Sequence, residues 1–487
     1  MPSKRLWRLS LLAGGLIAAA VMATYGRRAP VRSSLVNKPN VLLITIDTLR
    51  ADHVSAYGYM RPTTPHLDRL ASEGVMFENC YSAANVTNPS HISLLTGTRV
   101  STHGVTSNTA GLTAPHITTL AERFRKAGYA TAAVVSIGHL GQENSGLGRG
   151  FDDYYDVKDE RRATDSVLVT RQWLGAHAER PFFVWLHLWD PHMRYNPPPP
   201  YDRRYVRASS PRIDLFLKRS PLQQFFRANR VPPSARDRLR ELFKLGFKEA
   251  VGNNQIGLTR EEIDYLVALY DGEIAYVDAT LAGLFGDLHE LGLSDDTLLV
   301  VTADHGEAFG EHSIYCDHRT IYNETLHVPL IMRYPRRIPA GRRVANLVSG
   351  IDLAPTVLQY AGLRLDGPLE GRSLLPAIEQ GPAQEPVPLF AEHAKGIASM
   401  VRDGQWKLII GNRAAKPRLH PNAFELFNLD DDPHERRDLT ETKPEMIAKL
   451  QQVRQAWLTA PAVAPEANER PVDAETLERM RALGYVD

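Results

Sequence analysis

Cysteine is almost missing from this chain: Cys80 and Cys316 are the only two among 487 residues. That excludes a disulfide-built scaffold and a cysteine-based zinc module, which need several cysteines at close spacing. The two could still pair with each other. Net charge is missing too, with 57 Lys and Arg against 56 Asp and Glu. A nucleic-acid-binding chain normally carries a clear basic excess, so nucleic acid is not an expected partner. Long apolar runs are missing except for one. Leu9 to Gly26 carries no charged residue; Lys4, Arg5 and Arg8 precede it and Arg27 and Arg28 follow. Such a run is just long enough to span a bilayer, or it is a signal peptide cleaved after Ala20 or Ala23. Either way the chain is expected outside the cytoplasm, periplasmic or at the cell surface, membrane-anchored or secreted. Residues 1–39 are then a signal or anchor segment and its linker.

What is present is ordinary in composition and long enough for one large domain and a smaller one. Asn40 to Ile46, Thr131 to Ser136, Pro181 to Leu188 and Thr297 to Thr302 are continuous apolar, β-branched runs. These predict strands of a parallel sheet buried on both faces. Between them lie helical patterns at Thr64 to Gly74, Thr118 to Lys126 and Glu261 to Leu291. The first has Thr64 as cap, Pro65 at its first position and Gly74 as stop. The alternation predicts an α/β fold with a doubly wound, mostly parallel sheet flanked by helices.

After Pro382 the pattern changes to short antiparallel strands at Ser399 to Val401 and Trp406 to Ile410. The helix Pro444 to Leu458 would pack on them. The expected organisation is a large domain over 40–380, a small antiparallel subdomain over 381–460 and a tail over 461–487. A basic helical insertion is expected over 201–258. Tyr201 to Glu249 holds thirteen Lys and Arg against five Asp and Glu, interleaved with Phe216, Phe225, Phe226, Phe243 and Phe247. Such a stretch suits an anionic membrane or a polyanionic substrate, or it is a solvated cap over the rest.

The richest stretch is Asn85 to Gly97, N-V-T-N-P-S-H-I-S-L-L-T-G. A helix is expected to begin near Pro89, which loses no hydrogen bond in a first turn, and to stop at Gly97. Thr87 then lies at its N-terminus, where free N–H groups and the helix dipole favour an anion. His91, four residues on, can point to the same place. Taken alone, Thr87 is a helix cap, because caps are far commoner than nucleophiles. However, Asp47 and Asp304 each follow a predicted strand at its C-terminal end, where open α/β sheets place their ligands.

Four motifs share one order: Ile44-Thr45-Ile46-Asp47-Thr48-Leu49-Arg50, Ala56-Tyr57-Gly58, Thr96-Gly97 and Thr302-Ala303-Asp304-His305-Gly306-Glu307. In order and spacing they resemble the sulfatase family of the alkaline phosphatase superfamily, from about Asn40 to Leu439. The resemblance implies a sulfatase-like catalytic domain that hydrolyses sulfate or phosphate esters. It implies one divalent cation held by Asp47, Thr87, Asp304 and His305. His91, His139, His192 and His318 fall at active-site positions of the family. The resemblance points to Ca²⁺ or Mg²⁺, whereas so many imidazoles suit Zn²⁺ or Mn²⁺. Asp190, His192 and His318 are candidates for a second metal site, or the histidines contact substrate directly.

The chain departs from the family pattern in four motifs, at five positions. The Cys or Ser that sulfatases oxidise to formylglycine is Thr87, so no formylglycine is expected. The Arg of that motif is His91. The Lys of Lys-x-His is Ile137, in Ile137-Gly138-His139, and a later Lys is His318. The second Asp of an Asp-Asp pair is Thr48. Thr87 is therefore expected to act unmodified on the cation. Two other readings share these motifs. One is a membrane-anchored phosphoethanolamine-type transferase; the other is a catalytically inactive sulfatase-like binding protein.

Overall fold

The computed structural model describes residues 38–217, 257–381, 387–393, 396–411, 422–459 and 475–478. The Leu9 to Gly26 run, most of the basic insertion and nearly all of the tail lie outside the described residues. Among the described residues no helix is long and apolar enough to cross a membrane.

The main sheet begins with β1 (Asn40–Ile46), β2 (Val75–Tyr81), β3 (Ala130–Val134), β4 (Asp153–Tyr155), β5 (Phe182–Leu188) and β6 (Thr297–Ala303). A small antiparallel ribbon follows, β7 (Ala308–Phe309) with β8 (Tyr315–Asp317); β9 (Leu330–Arg333) and β10 (Arg342–Ser349) complete the main sheet. The spatial order is β10-β2-β9-β6-β1-β5-β3-β4. Every pair is parallel except those that β9 makes with β2 and β6. The expected α/β fold is therefore the observed one, with a single antiparallel strand inside it.

β1, β5 and β6 are buried along their whole length because helices cover both faces. The 31-residue helix Arg260–Glu290 is the longest of these. Thr259 and Glu262 close its first turn as a capping box, each side chain serving the other's backbone N–H. Leu43 sits in the middle of β1 with no exposed surface. Leu43→Ala is expected to cost about 2–5 kcal/mol, the usual range for truncating a buried Leu. Denaturant unfolding measures it, and a loss below about 1 kcal/mol would mean that the core closes over the gap.

Four further strands form a separate antiparallel sheet in chain order: β11 (Leu389–Glu392), β12 (Ala398–Asp403), β13 (Trp406–Gly411) and β14 (Phe424–Asn428). Its side chains alternate between two partners. Val401, Leu408 and Leu426 meet Leu450 of the helix Pro444–Thr459. Met400, Ile409 and Phe427 meet Tyr81, Ile321 and Leu326 of the main body.

Some boundaries differ from expectation. The key helix is Thr87–Thr96, so it begins at Thr87 rather than Pro89. The N-cap is Val86, so Thr87 is not the cap residue, although the helix does stop at Gly97, at φ +70°. Strand β3 ends at Val134, not Ser136, because the Ser136 N–H leaves the ladder for the His187 ring. Cys80 and Cys316 are both buried, and no disulfide joins them.

Candidate active site and metal centre

Register builds the site. Ile46 lies opposite both Leu188 and Ala303. The residues that follow, Asp47 and Asp304, therefore leave the sheet side by side at its C-terminal edge, with Trp189 on the other flank. One ligand atom each from Asp47, Asp304 and His305 lie within 4.8 Å of one another. All three residues have no exposed surface. Thr48 turns the chain sharply after Asp47, at φ +55°. A β-branched residue is strained there. Tyr270 braces the turn: its hydroxyl donates to the Thr48 carbonyl (2.7 Å) and accepts the Arg50 N–H (3.1 Å). The strained turn aims the Thr48 N–H at Asp304 Oδ1 (3.2 Å), which the His305 N–H also reaches (2.9 Å). The Thr48 hydroxyl is itself buried with no hydrogen-bond partner.

Thr87 meets this group from the helix side. Its Oγ1 is 3.4 Å from His305 Nε2. Ser90, one turn on, donates to the Asp304 carbonyl (2.6 Å) and so fixes the helix against the Asp304 loop. Burial pushes the Asp304 carboxyl up, against the downward pull of His91 and of the His305 and Thr48 N–H groups.

The carbonyls around the histidines decide their tautomers, since a carbonyl only accepts. His305 donates Nδ1–H to the Gly306 carbonyl (3.0 Å), His318 to that of Asn85 (2.8 Å) and His192 to that of Met193 (2.7 Å). In each ring Nε2 is then the nitrogen with the lone pair. The His305 and His318 rings stack at 4.3 Å, and His192 lies 5.9 Å from His318. His139 is buried, 6.4 Å from the Trp189 ring, and burial pushes it down to about 3. Asn88 ties the His139 carbonyl to the helix.

His91 is placed differently from the other histidines. It donates Nδ1–H to the Thr87 carbonyl (2.8 Å), and its Nε2 accepts from Thr45 Oγ1 (3.0 Å). Thr45 in turn accepts the Trp185 Nε1–H (3.0 Å). Both ring nitrogens are thus committed, and burial lowers the ring's pKa. His91 orients Thr87 and sits 3.7 Å from Asp304 Oδ2 as a positioning residue. Asp190 is not among the assembled ligands. It pairs with Arg162 (2.6 Å) and accepts the Ala163 N–H (2.7 Å). Among the described residues, Asp190, His192 and His318 form no ligand group compact enough to share an ion. The second metal site expected from these three is not assembled, because Arg162 already supplies the positive charge that Asp190 needs.

His187 is a site residue that sequence reasoning overlooked. Its Nδ1 accepts the Ser136 N–H (3.3 Å), so Nε2 carries the proton and faces Asp47 Oδ2 (3.4 Å). The available signal was one imidazole in the otherwise apolar run Phe182–Leu188, paired in register with Thr45.

The donor set fits a divalent cation. Two wholly buried carboxylates close together would be costly without a positive partner, and Asp304 Oδ2 has no hydrogen bond. Asp47, Asp304, His305 and Thr87 would hold the ion. His187→Ala is expected to weaken metal binding about 10- to 100-fold, the usual effect of removing a group that orients a ligand. Chelator competition measures it; unchanged affinity would mean that Asp47 keeps its orientation without His187.

Carboxylates, an imidazole and a helix N-terminal hydroxyl gathered at the C-terminal edge of a mostly parallel sheet form a group suited to metal-assisted ester hydrolysis. The sulfatase family model matches residues 39–363, and that for the C-terminal part of N-sulphoglucosamine sulphohydrolase matches 310–458. The chain belongs to the sulfatase family. It is 26% identical to the N-acetylglucosamine-6-O-sulfatase of Bacteroides thetaiotaomicron, over 70% of this chain and 71% of that protein. Its fold matches a structure solved with its substrate D-glucosamine-2-N,6-O-disulfate: TM-score 0.67, 22% identity, 88% of this chain and 100% of that one. It also matches the phosphonate monoester hydrolase of Silicibacter pomeroyi: TM-score 0.64, 25% identity, 86% of this chain and 94% of that one.

Proposed function

We propose that the protein is a metal-dependent hydrolase of sulfate or phosphate esters that uses unmodified Thr87 as its nucleophile. The observation that carries this is the Thr87 hydroxyl, buried at a helix N-terminus beside His305 and the Asp47–Asp304 pair. A divalent cation bound there would lower the hydroxyl's pKa and neutralise charge developing on the ester oxygens. Thr87 Oγ1 attacks the phosphorus or sulfur, its proton passes to an imidazole, and the alcohol departs. His192 and His318, whose Nε2 atoms carry lone pairs, are the candidates to take and return that proton. Water then attacks the phosphorus or sulfur of the threonine ester, because threonine has no hemiacetal through which to collapse. His91 and His139 position Thr87 and its helix.

That second attack favours phosphorus, so phosphate esters are expected to turn over at least as fast as sulfate esters. Kinship with the phosphonate monoester hydrolase supports this choice, and kinship with the glucosamine sulfatases keeps sulfated amino sugars as the competing substrate class. The Leu9 to Gly26 run would export the chain toward such substrates, cleaved or as an anchor. The test is a turnover screen of aryl sulfate, phosphate monoester, phosphodiester and phosphonate substrates, each with Ca²⁺, Mg²⁺, Mn²⁺ and Zn²⁺. Turnover of aryl sulfate alone would sink the phosphate preference; turnover of nothing would favour a binding protein.

A further inference from the structure

A second group of metal-type donors lies away from Asp47. It sits where the antiparallel sheet meets the main body. His312 comes from the turn after β7, Glu324 from the short helix Asn323–Leu326, and Glu435 from the loop after β14. One ligand atom from each lie within 4.8 Å of one another. Glu324 is 7% and Glu435 2% exposed.

The charges around this group do not balance. Lys407, wholly buried on β13, lies 2.7 Å from Glu435 Oε1. It also donates to Asn323 Oδ1 (3.1 Å). Arg50 is taken by Asp52 (2.8 Å) and Glu311 (2.9 Å), and Arg402 donates to the Tyr81 hydroxyl and the Gly404 carbonyl. Glu324 is left over. Its Oε1 is buried with no hydrogen-bond partner, and one of its carboxylate oxygens lies within 4.8 Å of ligand atoms of His312 and Glu435. An unpaired buried carboxylate is costly. A proton or a cation must offset it.

The neighbours favour a cation. His312 adds an imidazole, held flat against Tyr322 with ring centroids 3.6 Å apart. His312 and Glu435 both occupy left-handed backbone, at φ +52° and +55°. Non-glycine residues are held there only when their surroundings require it. A cavity of about 250 Å³, lined by Glu311, Asn323 and Glu324 among others, gives an entry path. We infer that His312, Glu324 and Glu435 form a second divalent-cation site that staples the C-terminal sheet to the main body. Two carboxylates and one imidazole suit Zn²⁺ or Mn²⁺. The staple would also brace the first centre, since the Gly306 N–H donates to the Thr325 carbonyl (2.8 Å) and Gly306 leaves no room for a side chain against the Glu324 carbonyl.

The test is run in an Asp304→Ala background, so that its outcome does not depend on the catalytic proposal. The full chain is dialysed against Zn²⁺, and bound zinc is counted by elemental mass spectrometry beside thermal unfolding with and without Zn²⁺. Asp304→Ala is expected to keep one equivalent and to gain thermal stability with Zn²⁺. Asp304→Ala/Glu324→Gln is expected to lose both the zinc and the gain. His312→Ala in the same background should do likewise, and it provides the reading if the Glu324 variant does not fold. Zinc retained in the variants would overturn the site. So would an Asp304→Ala protein that binds none, or a Glu324→Gln protein that is stabilised with its metal content unchanged, which would mean that Glu324 holds a proton.

Discussion

Thr87→Ala is expected to reduce turnover of phosphate and sulfate esters by about 10⁴-fold or more, as removal of a nucleophile generally does. Thr87 lies at the first position of its helix, and the N-cap position belongs to Val86. The lost activity therefore cannot be ascribed to a lost cap. His91 already holds the Thr87 carbonyl through Nδ1, so the backbone should stay in place when the hydroxyl goes. Thr87→Ser should keep much of the activity, because it keeps the hydroxyl. Mass spectrometry of the peptide containing residue 87 should show an unmodified threonine. Formylglycine forms from Cys or Ser, and Cys80 lies outside the helix on β2. Aryl sulfate turnover that survives Thr87→Ala would show that another group attacks.

Asp304→Asn is expected to strip the metal from the Asp47 centre and reduce turnover about 10³-fold. A cation in such a site stabilises transition-state charge by several kcal/mol, and each 1.4 kcal/mol is about tenfold in rate. Treating the unaltered protein with a chelator should reproduce the loss, and adding metal back should restore activity only there. The same substitution should act oppositely on stability. Without metal, Asp47 and Asp304 are two buried carboxylates within reach of one ion. Burial pushes Asp304 up, which means that the apo protein disfavours its charge. Removing that charge should raise the melting temperature in chelator while activity falls. An Asp304→Asn protein that binds as many equivalents of metal as the parent, or an apo form less stable than the apo parent, would contradict this account.

The two centres differ in how far the sequence revealed them. Asp47 and Asp304 were legible because each follows an apolar run that is buried on both faces, and such runs end at the ligand-binding edge of the sheet. His305 and Thr87 came with the family motifs. The strands β2, β9 and β10 went unforeseen. V-M-F-E-N-C-Y and R-R-V-A-N-L-V-S mix charged and apolar residues without strict alternation: β2 is buried except at Glu78 and Asn79, and β10 is a half-covered strand at the sheet margin. Only four residues make up β9. The second centre left no local trace, because His312, Glu324 and Glu435 are spread over more than a hundred residues and joined by the C-terminal sheet.

Thus the sequence by itself determined the layered α/β architecture, the small antiparallel sheet and the acids at the strand ends. All three follow from local periodicity and burial. The tertiary structure alone decided what each polar residue does. The same residue type, histidine, is a candidate ligand at His305, a brace at His91 and a second-layer donor to Asp47 at His187. Asp190 stands beside a histidine-rich segment and yet serves Arg162. The difference lies in what each ring or carboxylate meets across the fold, such as the Thr45 hydroxyl for His91 or the Ser136 N–H for His187. A buried polar atom must find a partner, and the packing of helix on sheet and of strand beside strand chooses that partner from residues more than forty positions away, as with Thr45 for His91 and Ser136 for His187.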